Sequence, residues 1–292
     1  MNIRAITRRF VSCLPDRTYL LLHYFFVFGK FPDLRAPKTF NEKLQWLKLN
    51  DRKPVYHEMV DKLSVKTFAA ERIGEGYIVP TLGVWDRPED IDYDSLPDSF
   101  ALKCTHDSGS VVLCRDKAGF DRAAAERTLR NGLAKDYYKA YREWPYKGIP
   151  RKILAEKFLP GEHGEIPADY KVMCFAGEPK LVILHQGRYG DHTMDFYDTD
   201  WNMTDITRTG QRRSAQAVEK PPFLEEMLRL SAILAKDVPH LRVDWYISEG
   251  KLRLGELTFF NASGFGPFED PRDDLLLGSW IRLKTAGERT NV

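Results

Sequence analysis

An α+β fold, with helices grouped at the start and short strands after them, is predicted for this 292-residue chain on three observations. Residues 1–60 carry helix-opening residues followed by apolar positions at helical spacing. From Tyr77 the pattern breaks into short apolar runs separated by turn residues. Near the end, two such runs are joined by Glu249-Gly250, a two-residue hairpin signal.

Taken in order, Pro15-Asp16 opens a first helix and Pro37 to Phe40 a second, capped by Thr39 or Asn41. Leu44, Trp46, Leu47 and Leu49 give the second a mostly apolar face until Asp51 and Pro54 end it. A third helix is expected from about Tyr56 to Arg72, stopped by Gly74 and Gly76. Strands follow at 77–85, 100–104 and 110–114, the last two as a hairpin, and then one long helix over 121–141. A strand at 152–158 opens the second half, leading to strands at 170–175, 179–186 and 193–197 and a helix after Pro221-Pro222. The hairpin 241–247 and 251–260 closes the sheet. The expected organisation is a helical segment over 1–60, a first lobe over 61–151 and a second over 152–292.

Composition narrows the function. With 43% hydrophobic and 29% charged residues, disorder is excluded as the main state. Cys13, Cys104, Cys114 and Cys174 form no CxxC pair and no metal-ligand spacing, so they read as reduced thiols of a cytoplasmic protein. Residues 1–60 hold 11 Lys/Arg against 5 Asp/Glu, leaving 33 against 37 for the remainder. That lacks the basic excess of a nucleic-acid binder. The basic start, with Arg4, Arg8 and Arg9 and the aromatic run Tyr24 to Phe31, instead suggests peripheral docking at the inner membrane, against the alternative that the aromatics pack on the body. Tyr19 to Phe31 is too short, and too interrupted by His23 and Lys30, to span a bilayer, and the opening residues lack the continuous apolar core from which secretion would be expected.

The strongest chemical signal is RVDWYISEGKLRLGELTFFNASGFG. Asp244 and Glu256 lie at nearly equal distances from the Glu249-Gly250 turn, so they fall almost opposite and on one face. Two carboxylates that close repel unless a cation neutralises them, which suits Mg2+ held by carboxylates and substrate phosphates. Arg242 projects from the same face, to hold a phosphate or an oxyanion, or else to form a salt-bridged ladder with Glu256. Lys103 ends an apolar run before Cys104 to Ser110, where a Lys beside a Ser/Gly turn can point at phosphate. The spacing is not that of a Walker A loop, and His106 in it reads as a hydrogen-bonding or surface residue rather than a base. Lys62 and Lys66 are one helical turn apart, Glu156 and Lys157 end a buried-looking strand, and Asp169 to Lys171 begin the next.

Together, PKTFNEKLQWLKL (37–49), DKLSVK (61–66), the block 73–110, DYKVMCFAGEP (169–179), RVDWY and GELTFFNASG resemble the TupA-like ATP-grasp family of bacterial surface-polysaccharide gene clusters. The resemblance implies an ATP-grasp fold, two α+β lobes clasping ATP. It implies that Lys62 and Lys103 contact the ATP phosphates, with the 105–110 loop, including Ser108, Gly109 and Ser110, as a flexible lid. It implies that Glu156, Lys157 and Leu159 form the hinge against adenine, with Asp169, or else Glu162 or Glu165, on the ribose, and that Lys171 also binds the nucleotide. Asp244 and Glu256 would hold Mg2+ and Arg242 would stabilise the transferred phosphate. The usual third ligand is an Asn two residues after the Glu. Here Thr258 takes that position, and Asn261 lies further on.

The resemblance further implies a cytoplasmic, ADP-forming carboxylate–amine ligase working through an acylphosphate. Its partners would be a small or lipid-linked saccharide and an amine. An ATP-grasp kinase, a nucleotide-binding scaffold and a glycosyltransferase of the same pathway are the rivals. Against the last, Asp198-Thr199-Asp200 has the letters of a DxD motif but lies in a polar run.

Overall fold

The computed structural model describes residues 14–161, 164–187 and 190–283. Arg4, Arg8, Arg9, Cys13 and Glu162, singled out above, lie outside them. Helix α1 (Asp16–Phe28) buries Tyr19, Leu20 and Tyr24. It leaves Phe26 81% exposed, and Phe31 just beyond its end is 57% exposed, so the aromatic run is only partly spent on packing. No helix among the described residues is long and apolar enough to cross a membrane.

Helix α2 (Phe40–Asn50) starts in a capping box. The Thr39 hydroxyl accepts from the Glu42 N–H at 3.2 Å, and the Glu42 carboxylate accepts from the Thr39 N–H at 3.1 Å. The single helix expected over 56–72 is two, α3 (Val55–Val60) and α4 (Ser64–Ile73). The Asp61 carboxylate accepts from the Ser64 N–H at 3.2 Å and from its hydroxyl at 2.7 Å, a local bond that competes with helix continuation. Likewise 121–141 is split into α5 (Arg122–Leu133) and α6 (Tyr137–Tyr141), because the Asp136 side chain caps a new start by accepting from the Lys139 N–H.

The first sheet is antiparallel, in the order β1 (Thr81–Trp85), β4 (Ile153–Lys157), β2 (Phe100–Cys104), β3 (Val111–Cys114). Here the expected boundary at 152 is corrected: β4 lies between β1 and β2 as a central strand of the first sheet, not at the head of the second. The strand itself is apolar enough to read as buried, but nothing local announces which sheet receives it.

The second sheet has five antiparallel strands in the order β7 (Thr193–Tyr197), β6 (Glu178–Gln186), β5 (Asp169–Phe175), β8 (His240–Ser248), β9 (Lys251–Thr258). Glu249 and Gly250 both have positive φ, at 52° and 66°, the conformation a tight two-residue hairpin turn requires. One face packs on α7 (Leu224–Leu234), where the buried Trp245 indole donates to Ser231 at 2.9 Å. The opposite face carries Lys171, Asp244 and Glu256 in one cross-strand row, with Arg242 and Thr258 in the next.

That row depends on a bulge. From Ser248↔Lys251 to Trp245↔Leu254 the register is regular, and it would set Asp244 against Gly255. The bulge skips Gly255 and brings Glu256 opposite Asp244. A Cβ at Gly255 would come within 2.6 Å of the Tyr246 ring, so a side chain here would contest the close approach.

A C-terminal helix not expected from sequence, α8 (Pro271–Trp280), is capped by Asp270 and packs against α2. A Cβ on Gly278 would stand 2.2 Å from the Lys38 carbonyl oxygen, so glycine permits that contact. Cys104, Cys114 and Cys174 are buried free thiols.

Candidate functional site

A cavity of about 520 Å3 is lined by residues of both sheets and of α4. Its walls are largely apolar, from Val65, Ile78, Val79, Ala101, Phe158 and Leu254, and Lys62, Lys66, Lys103, Glu156 and Glu256 supply the charge. The volume is that of an ordinary small-molecule site.

Each charged group is placed by the chain around it. Lys62 falls in the break between α3 and α4, where its N–H donates to the Thr105 carbonyl at 3.1 Å and its ammonium to the Asp107 carbonyl. Lys66 on α4 and Lys103 on β2 converge on Glu156 of β4: Lys66 Nζ contacts Oε1, and Lys103 Nζ donates to Oε2 at 2.6 Å. Burial pushes the Glu156 carboxyl up, but Lys103 and Lys66 outweigh it and hold the group below its ordinary range. Burial lowers the Lys62 and Lys66 ammoniums, opposed by Glu256 and by Glu156 respectively. For Lys103 burial also works downward, and Glu156 overcomes it and raises the group.

Several expected site residues take other positions. Glu156, expected at the hinge, lines the cavity with its side chain paired to the two lysines. Lys157 and Leu159 line the cavity, with Lys157 Nζ reaching Glu249 at 2.6 Å. Ser108 and Gly109 line it too, but Ser110 turns inward, its buried hydroxyl donating to the Asp107 carboxylate. Asp169 and Lys171 are not among the lining residues, being 1% and 3% exposed, and they pair with each other at 2.8 Å. His106 is buried with its ring against the Lys135 carbonyl at 3.2 Å, a hydrogen-bonding residue. Lys66, which the sequence marks only as a neighbour of Lys62, joins the site through Glu156.

On the second sheet Arg242 grips Asp244 with two parallel bonds, Nε to Oδ1 and Nη2 to Oδ2, each 2.7 Å. Nη2 also reaches Thr258 at 3.1 Å and Glu256 at 3.3 Å, and Nη1 donates to Asn261 at 2.9 Å. Lys171 contacts Asp244 from the other side. Burial alone would raise the Asp244 carboxyl, but Arg242 and Lys171 drive it far below the usual range, so it is an anion. Burial would lower the Arg242 guanidinium, and Asp244 and Glu256 reverse that.

The oxygen donors of Asp244, Glu256 and Thr258 suit a hard cation such as Mg2+ in kind. They fit it unequally: the Glu256 side chain is 37% exposed and lines the cavity, whereas both Asp244 oxygens already accept from Arg242. Among the described residues no group of three or more His, Cys, Asp or Glu is placed to hold a metal, which leaves the two-carboxylate arrangement that Mg2+ completes with phosphate oxygens. Asp198 spends its oxygens on a local turn, accepting from the Asp200 N–H at 3.0 Å and the Asn202 N–H at 2.8 Å.

A family model described as TupA-like ATPgrasp matches residues 42–282. No curated protein matches the chain. Similar solved structures include D-alanine–D-alanine ligase from Bacillus anthracis complexed with ATP, at 15% identity over 69% of this chain and 54% of that one, with a TM-score of 0.40. The D-alanine–D-alanine ligase from Helicobacter pylori matches at 14% identity over 83% and 69%, TM-score 0.42. D-cycloserine synthetase DcsG matches at 15% over 70% and 64%, TM-score 0.40. The chain spans about half the length of the Bacillus anthracis ligase.

Proposed function

The chain belongs to the TupA-like ATP-grasp family, and from that premise we propose that it is an ATP-dependent, ADP-forming ligase joining a carboxylate to an amine. The observation that supports this reading is one cavity whose lining combines apolar walls with Lys62, Lys66 and Lys103 and the carboxylates of Glu156 and Glu256. Apolar walls suit a purine, and clustered ammoniums suit a polyphosphate.

In the proposed reaction a carboxylate oxygen attacks the terminal phosphorus of ATP, and the bond to the bridging oxygen breaks with its electron pair leaving on ADP. The amine nitrogen then attacks the acyl carbon. The bond to the phosphate oxygen breaks, inorganic phosphate leaves, and the nitrogen loses its proton. The protein's share is positioning and charge neutralisation. The lysines would hold the phosphates, and Arg242, fixed in plane by Asp244 and Asn261, would meet charge on the phosphoryl in flight. Asp244 and Glu256, with Thr258, would hold Mg2+, which when bound neutralises charge across the phosphates.

We further propose a uronic-acid carboxylate of a small or lipid-linked saccharide precursor and an amino acid or similar amine as the substrate pair, used in the cytoplasm. The test is incubation of the protein with Mg-ATP and pools of uronic acids and amino acids. ADP and phosphate formed only when both pools are present support the ligase. AMP and pyrophosphate overturn it. ADP with a phosphorylated acceptor and no free phosphate assigns a kinase, and turnover of a sugar nucleotide instead of ATP assigns a glycosyltransferase.

A further inference from the structure

The motif at residues 37–49 contributes nothing to the lining of the cavity, yet it packs three polar side chains out of solvent on one face of α2. Asn41, Gln45 and Lys48 are all 0% exposed, and their spacing of four and three residues aligns them along the helix. Buried polar groups are costly unless partnered, and an apolar stripe would pack α2 without that cost. All three donate to the same loop. Asn41 Nδ2 reaches the Gly266 carbonyl at 3.1 Å, Gln45 Nε2 the Gly264 carbonyl at 2.7 Å, and Lys48 Nζ the Ser263 carbonyl at 2.8 Å and hydroxyl at 3.0 Å.

The loop needs holding. Ala262 at φ 49° and Ser263 at φ 53° are both left-handed, a conformation unfavourable for residues with a Cβ and sustained where surrounding contacts over-determine it. Gly264 takes the closest approach, since a Cβ there would lie 2.4 Å from Gln45 Nε2. At the head of this loop Asn261, 6% exposed, accepts from Arg242 Nη1 at 2.9 Å. Asp244 fixes the Nε and Nη2 side of the guanidinium, and Asn261 fixes the other.

We propose that the Asn41, Gln45 and Lys48 ladder is a positioning device for Arg242, acting through the left-handed turn at 262–263 and Asn261. This rests on the reading of Arg242 as the group that meets the transferred phosphate. The helix near the chain start thereby sets the orientation of a guanidinium some two hundred residues later.

Calorimetric titration with Mg2+ and the non-hydrolysable analogue AMP-PNP, and separately with ADP alone, tests it. Gln45→Met keeps the volume and removes the donor. By freeing the turn it should loosen the Asn261 bond to the charged Arg242 guanidinium, and so weaken Mg-AMP-PNP about tenfold while leaving ADP within about twofold, because ADP lacks the terminal phosphate. Asn261→Ala should do the same, and the double variant should be no weaker than either single, since both act through one guanidinium. Unchanged Mg-AMP-PNP affinity in Gln45→Met, an equal loss for ADP, or losses that multiply in the double variant would overturn the ladder. If Gln45→Met fails to fold, Asn41→Leu is read by the same criteria. Arg242→Met separates the two levels: if it weakens Mg-AMP-PNP and Gln45→Met does not, the ladder alone fails, whereas no effect of Arg242→Met overturns the reading of Arg242 and the ladder with it.

Discussion

Replacing Glu156 by Gln removes the one carboxylate that Lys66 and Lys103 share, while keeping its volume and most of its hydrogen bonding. At 2.6 Å and an effective dielectric of about 20, the gross attraction of the Lys103 pair is about 6 kcal/mol, and desolvation takes back much of it. Removing one member of a buried pair costs about 3–5 kcal/mol. Lys66 and Lys103 are 14% and 23% exposed and open onto the cavity, where water relieves them in part. The expected loss is therefore at the lower end, about 3 kcal/mol. The sign with pH follows from the depressed folded value of Glu156: the unfolded chain binds more protons in acid, so its stabilisation is complete above the ordinary 4.5 and fades as pH falls through the folded value. Urea unfolding of wild type and Glu156→Gln should thus show a gap of about 3 kcal/mol at neutral pH that shrinks steadily in acid. Saturating Mg-AMP-PNP should narrow the neutral gap, because phosphate oxygens would replace the lost carboxylate. A neutral gap under about 0.5 kcal/mol, the range of an ordinary surface substitution, or one that persists unchanged in acid, would refute the reasoning.

Further outcomes are expected elsewhere. Burial lowers the Lys48 ammonium against the pull of Glu143 and raises the Glu143 carboxyl against the pull of Lys48, so the pair contributes least where both would be charged: the Glu143 share falls as pH rises from 4.5, and the Lys48 share grows only toward 10.5. Lys48→Met alone should cost about 3–5 kcal/mol in denaturant unfolding and Lys48→Met with Glu143→Leu much less, and strictly additive losses would contradict the pairing. Asp244→Asn should lower the melting temperature as well as ADP formation, since it strands buried Lys171 and Arg242, whereas Glu256→Gln should melt like wild type and lose ADP formation, so equal melting of the two variants would count against this. We also propose that the exposed Phe26 and Phe31 edge docks on anionic lipid: wild type should sediment with anionic vesicles in low salt, and Phe26→Ser with Phe31→Ser, or neutralised Arg4, Arg8 and Arg9, should bind less, at about 1 kcal/mol per basic residue. No sedimentation at low ionic strength would end that proposal.

How far the sequence reveals this site depends on the range of the interactions. The hairpin at Glu249-Gly250 and the Thr39 cap are local and readable in a few letters. The opposition of Asp244 and Glu256 is readable only approximately, because it hangs on a bulge at Gly255 that a simple count cannot reveal. The break at Asp61 is missed because the apolar spacing on both sides suits one helix, and only the Asp61–Ser64 bond separates the pieces. From its own strand Glu156 reads only as a charge at the end of a buried run, and its hinge role is what the resemblance implies, whereas its two lysines come from elements 90 and 53 positions away. Lys48 and Glu143 carry no pattern of their own: a single Lys on an apolar helix and a single Glu before Trp144 look solvated until tertiary packing excludes water from both.

The central place of β4 bears on which pieces of this chain can stand alone. Among the described residues β1 pairs in the first sheet with β4 alone, and β2 with β3 forms a bare hairpin once β4 is taken away. Isolated hairpins are marginal in water. A polypeptide ended at residue 151 would therefore leave β1 unpartnered and Lys103 without its carboxylate, and should behave as a collapsed, protease-sensitive fragment. During synthesis the same logic delays the first sheet until residues 153–157 have left the ribosome, about seventy residues after β1 has, so its early strands wait as exposed edges for a late-arriving centre.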